Sequence, residues 1–233
     1  EGVPSAHILR DLFEGLTAEH TDGSIIPGQA ESWTISEDGK TFVFKIRDNA
    51  KWSNGDPVTA HDFVYAWQRA VAPATGTAYS FLLYPLENAQ AISSGEEKDL
   101  SKLGVKATDD RTLEVKLSGP APYFLGMITH SVAYPVHKGT VEAKGASWTR
   151  PENMVSNGAY VLTEWVLNER TVRERNEAER AGCEGLHLPQ DHGVLGAVDR
   201  RDHRHDRQNA LFKSPHQHRG AGQGALGPRG HAL

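Results

Sequence analysis

Apolar side chains recur at helical spacing near the start of the chain: Ile8, Leu9, Leu12 and Phe13 share one face, and Gly15 ends the run. Ser5, a residue type that caps helices, stands just ahead of them, so the pattern predicts a short helix beginning there. The period then changes to two. Trp33 and Ile35 alternate with polar neighbours, Asp38-Gly39 supplies a hairpin turn, and Phe42, Phe44 and Ile46 alternate with Val43, Lys45 and Arg47. Thr59 and Asp62 have the spacing of a capping box, and Phe63, Val64, Trp67 and Val71 follow on one helical face. A second alternation, Leu113-Val115-Leu117, comes after the polar turn Asp109-Asp110-Arg111. A third runs through Tyr160, Leu162 and Trp165-Val166-Leu167, turns near Asn168-Glu169 and returns through Val172. The sum is a mixed α+β pattern rich in hairpins.

The pattern stops near residue 176. All five Trp and all six Tyr precede that point, and the aromatic apolar residues after it reduce to Phe212. Seven of the twelve His (187, 192, 203, 205, 216, 218 and 231) and nine Gly fall in the remainder, whose basic residues are seven Arg and one Lys. Such a segment buries too little to offset its ordering entropy, so 176–233 is expected to be disordered. Arg, Gly, His, Ala and Pro enrichment is also what a GC-rich gene gives when read out of frame. A shift of reading frame just after Arg175 is therefore expected, and resequencing the encoding DNA tests it; a clean in-frame gene through the junction removes the idea.

Composition narrows the function. Of 233 residues, 38% are hydrophobic, and no apolar run approaches the ~20 residues of a membrane-spanning helix. A net charge of −5 lacks the basic excess of a dedicated nucleic-acid binder. The lone Cys183 excludes an internal disulfide framework and Cys-cluster metal sites. The chain opens Glu1-Gly2-Val3-Pro4-Ser5 with neither a basic nor an apolar leader segment, so either a leader has been removed or the chain begins inside a domain.

Candidate chemistry is sparse. His203-Arg204-His205 and His216-Gln217-His218 are His-x-His pairs, but nothing around them supplies the hydrogen-bond partners that orient metal-binding imidazoles. Weak adventitious metal affinity is therefore the expectation, and no cofactor is implied. The run Gly222-Gln223-Gly224-Ala225-Leu226-Gly227 matches a dinucleotide fingerprint with no strand before it and no room for the ribose-binding acid, so the match is accidental. There is no G-x-S-x-G, H-E-x-x-H or P-loop. His7, His61 and His130 lack a Ser or Cys partner in a recognisable nucleophile context, and cap or turn roles account for Asp11, Asp62, Asp109 and Asp110. Trp33, Trp52, Trp67 and Trp165 have apolar neighbours and read as core. Tyr79 follows the Pro73…Gly76-Thr77 loop, where a tyrosine can offer a flat apolar face and a hydroxyl to a ligand.

The motif Ala30-Glu31-Ser32-Trp33, then Phe42-Val43-Phe44-Lys45-Ile46-Arg47, then Ala50-Lys51-Trp52-Ser53-Asn54-Gly55-Asp56-Pro57-Val58-Thr59-Ala60-His61-Asp62-Phe63 resembles the oligopeptide- and dipeptide-binding proteins of bacterial ABC importers. Arg10-Asp11-Leu12-Phe13-Glu14-Gly15-Leu16, Leu103-Gly104-Val105-Lys106-Ala107, Pro120-Ala121-Pro122-Tyr123-Phe124 and Ser156-Asn157-Gly158-Ala159-Tyr160 fit the same family in the same order. The resemblance covers residues 1 to about 175.

It implies an α+β, partial periplasmic-binding-protein type II-like fold, with mixed sheets and flanking helices, lacking the second lobe. Residues 1–14 and 138–175 would belong to a discontinuous first lobe, and 15–137 to a small extension domain. By the same resemblance, ligand-facing positions would be Glu1, a carboxylate for basic peptide side chains; Val3, offering backbone groups at the lobe edge; and Tyr79 and His130, as pocket walls. The implied function is capture of short peptides outside the cytoplasmic membrane, in the periplasm or lipid-anchored at a cell surface. The implied molecule is a monomer with no chemistry of its own, and its partner is an importer permease, not nucleic acid. Without an opposing lobe to enclose the ligand, binding is expected to be weak or absent. The alternatives are a binder of dipeptides, murein peptides or nickel on the same fold, the non-functional product of a broken gene, and a secreted hydrolase on an unrelated fold, which no motif supports.

Overall fold

The computed structural model describes residues 3–167 and 169–180; side chains are described from residue 6 to residue 178 within that span. The His-x-His pairs, Cys183, the glycine-rich run and the predicted disorder therefore lie outside the described residues, except at their start. At that start, Asn176 is buried, with its side chain donating to the Gly158 carbonyl at 2.9 Å, and a short helix α6 (Glu177–Arg180) follows.

Helix α1 spans Val3–Leu12 and leads into the short strands β1 (Thr17–Glu19) and β2 (Ile25–Pro27), which pair antiparallel. The predicted cap at Ser5 is corrected: the helix starts two residues earlier, with Pro4 in its first turn. A proline fits there because first-turn N–H groups have no intrahelical acceptor to lose. β3 (Ala30–Ile35) and β4 (Thr41–Ile46) form the predicted hairpin, and Gly39 at the turn has φ 68°, which suits glycine. β5 (Val105–Asp109) and β6 (Thr112–Lys116) complete a four-stranded antiparallel sheet in the order β3-β4-β6-β5. Register puts Phe42 opposite Val115 and Phe44 opposite Leu113, so the alternating apolar positions of both strands share one face.

Helix α2 (Ala60–Val71) covers that face with Phe63, Trp67 and Val71, all at 1% exposure or less. Its capping box is present: the Asp62 carboxylate accepts the Thr59 N–H at 2.8 Å and the Thr59 hydroxyl at 3.0 Å. Trp67 is satisfied as well as buried, its indole N–H donating to the Ala133 carbonyl at 2.8 Å. Beyond α2 come α3 (Ala89–Ser94), α4 (Phe124–Met127) and α5 (Lys138–Lys144), then the hairpin of β7 (Tyr160–Val166) and β8 (Arg170–Arg175).

Two sequence expectations are corrected here. Trp52 and Trp67 are core and Trp33 packs on the core half-buried, but Trp165 is 53% exposed. Leu162 is buried, whereas Trp165, at an odd spacing from it along β7, and Leu167 just after the strand are exposed. Asp11, expected in a cap or turn role, instead forms an ion pair with the buried Arg173 of β8.

Candidate ligand-facing site

After α2 the chain turns through a 3-10 segment, Pro73–Thr75, closed by Gly76 in the left-handed region (φ 63°). The loop beyond it delivers Tyr79 to the surface and runs into a second 3-10 turn, Ser80–Leu83. Leu83 at 1% exposure anchors this turn in the core, which leaves Phe81 on its opposite side. Tyr79 and Phe81 are 46% and 52% exposed.

His130 reaches the same place from a distant part of the chain, between α4 and the 3-10 turn Ser131–Ala133. Its ring centroid lies 5.0 Å from that of Tyr79 at a 40° tilt, and Tyr79 lies 6.0 Å from Phe81 at 39°. The three rings form an aromatic shelf. Nδ1 of His130 accepts the Val132 N–H at 3.2 Å, so the neutral ring carries its proton on Nε2. Burial, and then the nearby positive charge of Arg10, hold the His130 pKa below its ordinary value. Arg10 itself is exposed on α1, which packs against the Ser131–Ala133 turn. Tyr134, partly buried against the core just after that turn, has its pKa raised by burial; Arg10 opposes that shift and Glu14 adds to it.

A buried polar clasp holds α1 in position beside the shelf. Asn157, fully buried, donates to the Glu14 carbonyl at 3.0 Å and accepts the Glu14 N–H at 3.2 Å. Gly158 N–H donates to the Leu12 carbonyl at 2.9 Å. A Cβ on Gly158 would stand 2.7 Å from Asp11 O, Leu12 C and Phe13 N, so a side chain there would force the two segments apart. The Gln29 side chain donates to the Glu14 carboxylate at 2.5 Å.

Of the four positions expected to face a ligand, the structure brings Tyr79 and His130 together. Val3 opens α1, and the ring contacts of that pair do not extend to it. Glu1 lies outside the described residues. Sequence reasoning missed Phe81, because Phe81-Leu82-Leu83 reads as an apolar run and hence as core; its one signal is its place two residues after Tyr79 in the same loop. It also missed Arg10. Among the described residues no group of three or more His, Cys, Asp or Glu is placed to hold a metal ion, and no helix is long and apolar enough to cross a membrane. The arrangement offers stacking surface and one N–H donor, with no nucleophile beside a base.

Comparison with known proteins accords with this picture. The description "Bacterial extracellular solute-binding proteins, family 5 Middle" matches residues 24–178. The chain is similar to the periplasmic oligopeptide-binding protein OppA of Escherichia coli, 51% identical over 178 residues, covering 76% of this chain and 32% of that protein. Among solved structures it is similar to the murein tripeptide binding protein MppA of Escherichia coli, with TM-score 0.74 and 42% identity over 78% of this chain and 36% of that one. Haemophilus influenzae OppA, solved in complex with RPPGFSPFR, gives TM-score 0.74 and 43% identity over 78% and 36%. The chain thus spans about a third of the length of the curated relatives it matches.

Proposed function

The chain belongs to the bacterial extracellular solute-binding proteins of family 5, and from that premise we propose that it serves in capturing short peptides for an ABC importer. The observation that carries this reading is the solvent-facing Tyr79–His130 pair, set in a fold shared with relatives whose names describe oligopeptide and murein peptide binding. The protein acts as a binder and performs no chemistry, a reading supported by its family of solute-binding proteins.

In this reading the peptide lies extended and is held mainly through its backbone, as an added strand, which makes recognition tolerant of side-chain identity. Val3 contributes backbone groups and Glu1 a carboxylate, while Tyr79 and His130 form one wall. Residues 1–14 and 138–175 act as part of one lobe and 15–137 as an extension. The working protein is a monomer in the periplasm, or lipid-anchored at the surface of a cell without one, and hands its ligand to a permease. Murein peptide capture is the second reading, favoured by a relative 45% identical over 173 residues.

The test is NMR titration of the chain with mixed tri- to pentapeptides into the millimolar range, where even weak complexes are populated. Saturable shifts of the Tyr79 and His130 ring signals are expected. Absence of any saturable shift at these rings would sink the proposal.

A further inference from the structure

Phenylalanine in this molecule is a core residue with one exception among the described positions. Phe13, Phe42, Phe44, Phe63 and Phe124 are each 4% exposed or less, whereas Phe81 is 52% exposed. Scattered exposed apolar residues need no explanation, but this one lies 6.0 Å from the Tyr79 ring, which in turn lies 5.0 Å from the His130 ring, so the three form a continuous patch. Its exposure is also enforced. Buried Leu83 fixes the 3-10 turn Ser80–Leu83, and that turn packs against α2 and the Ser131–Ala133 segment. The ring cannot turn inward without withdrawing Leu83 from the core.

We propose that Phe81 is a specificity-determining residue, and that the Phe81–Tyr79–His130 shelf takes an aromatic side chain of the bound peptide. This rests on the peptide-binding reading above. Tilted rings 5.0 and 6.0 Å apart already have the spacing that aromatic pairs favour, so a further ring extends the series without rearrangement. A cationic side chain also has affinity for aromatic faces. Arg10 disfavours it here: α1, which presents it to solvent, packs against the Ser131–Ala133 turn next to His130, so a second cation at the shelf would meet a like charge nearby. An aliphatic side chain buries area on the shelf but gains nothing from the edges and faces of the rings. The geometry therefore ranks aromatic above aliphatic, and aliphatic above cationic.

The ranking is measurable on the full chain by NMR titration with tetra-alanine and with tetrapeptides carrying one Phe or one Lys among alanines. The best-placed Phe is expected to tighten binding about tenfold over tetra-alanine, and Lys to give no gain. Phe81→Ala should bring the Phe-to-Ala affinity ratio to about one, while Phe81→Tyr should preserve it. Phe81 is exposed, so both variants should fold, which circular dichroism checks. If tetra-alanine binds but the wild-type ratio is near one, or the ratio survives Phe81→Ala, the inference falls and the peptide reading stands. Ring shifts that grow with protein concentration alone would assign the shelf to a second copy of the chain and overturn the inference. If no peptide binds, the peptide reading fails and takes the inference with it.

Discussion

The imidazole of His130 accepts the Val132 N–H through Nδ1 and lies against Tyr79, so its protonation state bears on both backbone and shelf. Its folded pKa is depressed, first by burial and then by Arg10. The unfolded chain, with a histidine pKa of about 6.5, then binds the proton more readily than the folded one. Stability is therefore intact above the unfolded value and falls as pH drops through it, levelling off below the lower folded value. Urea unfolding at several pH values between neutral and mildly acidic should show this decline. His130→Asn should flatten it; an equal slope in that variant would assign the effect to another group. Exposure sets a second contrast at this scale. Trp165→Thr should change stability by no more than about 0.5 kcal/mol, because its ring faces solvent, whereas Trp67→Ala should cost roughly 3–5 kcal/mol from the core.

Helix α2 joins the sheet to the loop that carries Tyr79, and its N-terminus is held by Asp62. That carboxylate takes the Thr59 N–H and hydroxyl, and lies 3.4 Å from the indole nitrogen of buried Trp52. Asp62→Ala should cost about 1–2 kcal/mol by urea denaturation, with Asp62→Glu recovering part of it; a loss below about 0.3 kcal/mol would show the box to be dispensable. The box was legible in the sequence because its chemistry is local, and the hairpins were legible because period-two alternation met a turn residue at each end. Local chemistry also explains the failures. Pro4 moved the start of α1 because the first turn tolerates proline, and Trp165 lies outward because its odd spacing from buried Leu162 puts it on the opposite side of the pleated strand. In the site, Tyr79 stood out as a loop aromatic. Phe81 was hidden, because only the anchoring of Leu83 decides which side of the 3-10 turn its ring takes.

Across the described molecule, the contacts least visible in the sequence are those that join its two ends. Glu14 and Asn157 are 143 positions apart and exchange a pair of hydrogen bonds, while Arg173 meets Asp11 beside them. No spacing rule links such residues; the motifs around Arg10 and Asn157 marked the segments without giving their roles. The Arg173–Asp11 pair tests what the clasp contributes. Arg173 is 8% exposed in its side chain and Asp11 27%, and the Arg173 Nε has no acceptor among the described residues, so the arginine is held under-satisfied in a nearly dry site. A pair of this kind adds little net stability over apolar replacements, yet breaking it leaves a stranded charge. Arg173→Met should therefore destabilise by about 2–3 kcal/mol, below the full value for a buried pair because Asp11 keeps some solvent. Asp11→Asn added to that variant should restore most of the loss, since the uncompensated carboxylate is gone. Hydrogen exchange locates the effect: amides of β7, β8 and the end of α1 should lose protection in Arg173→Met while those of β4 and β6 keep theirs. Equal loss of protection in β4 and β6 would mean that the clasp and the four-stranded sheet unfold as one unit. In the expected case, α1 can be loosened at its C-terminal end without disturbing α2, which would shift Arg10 relative to His130 and raise the His130 pKa toward its ordinary value. NMR titration of the His130 ring in the same variant reads that shift directly.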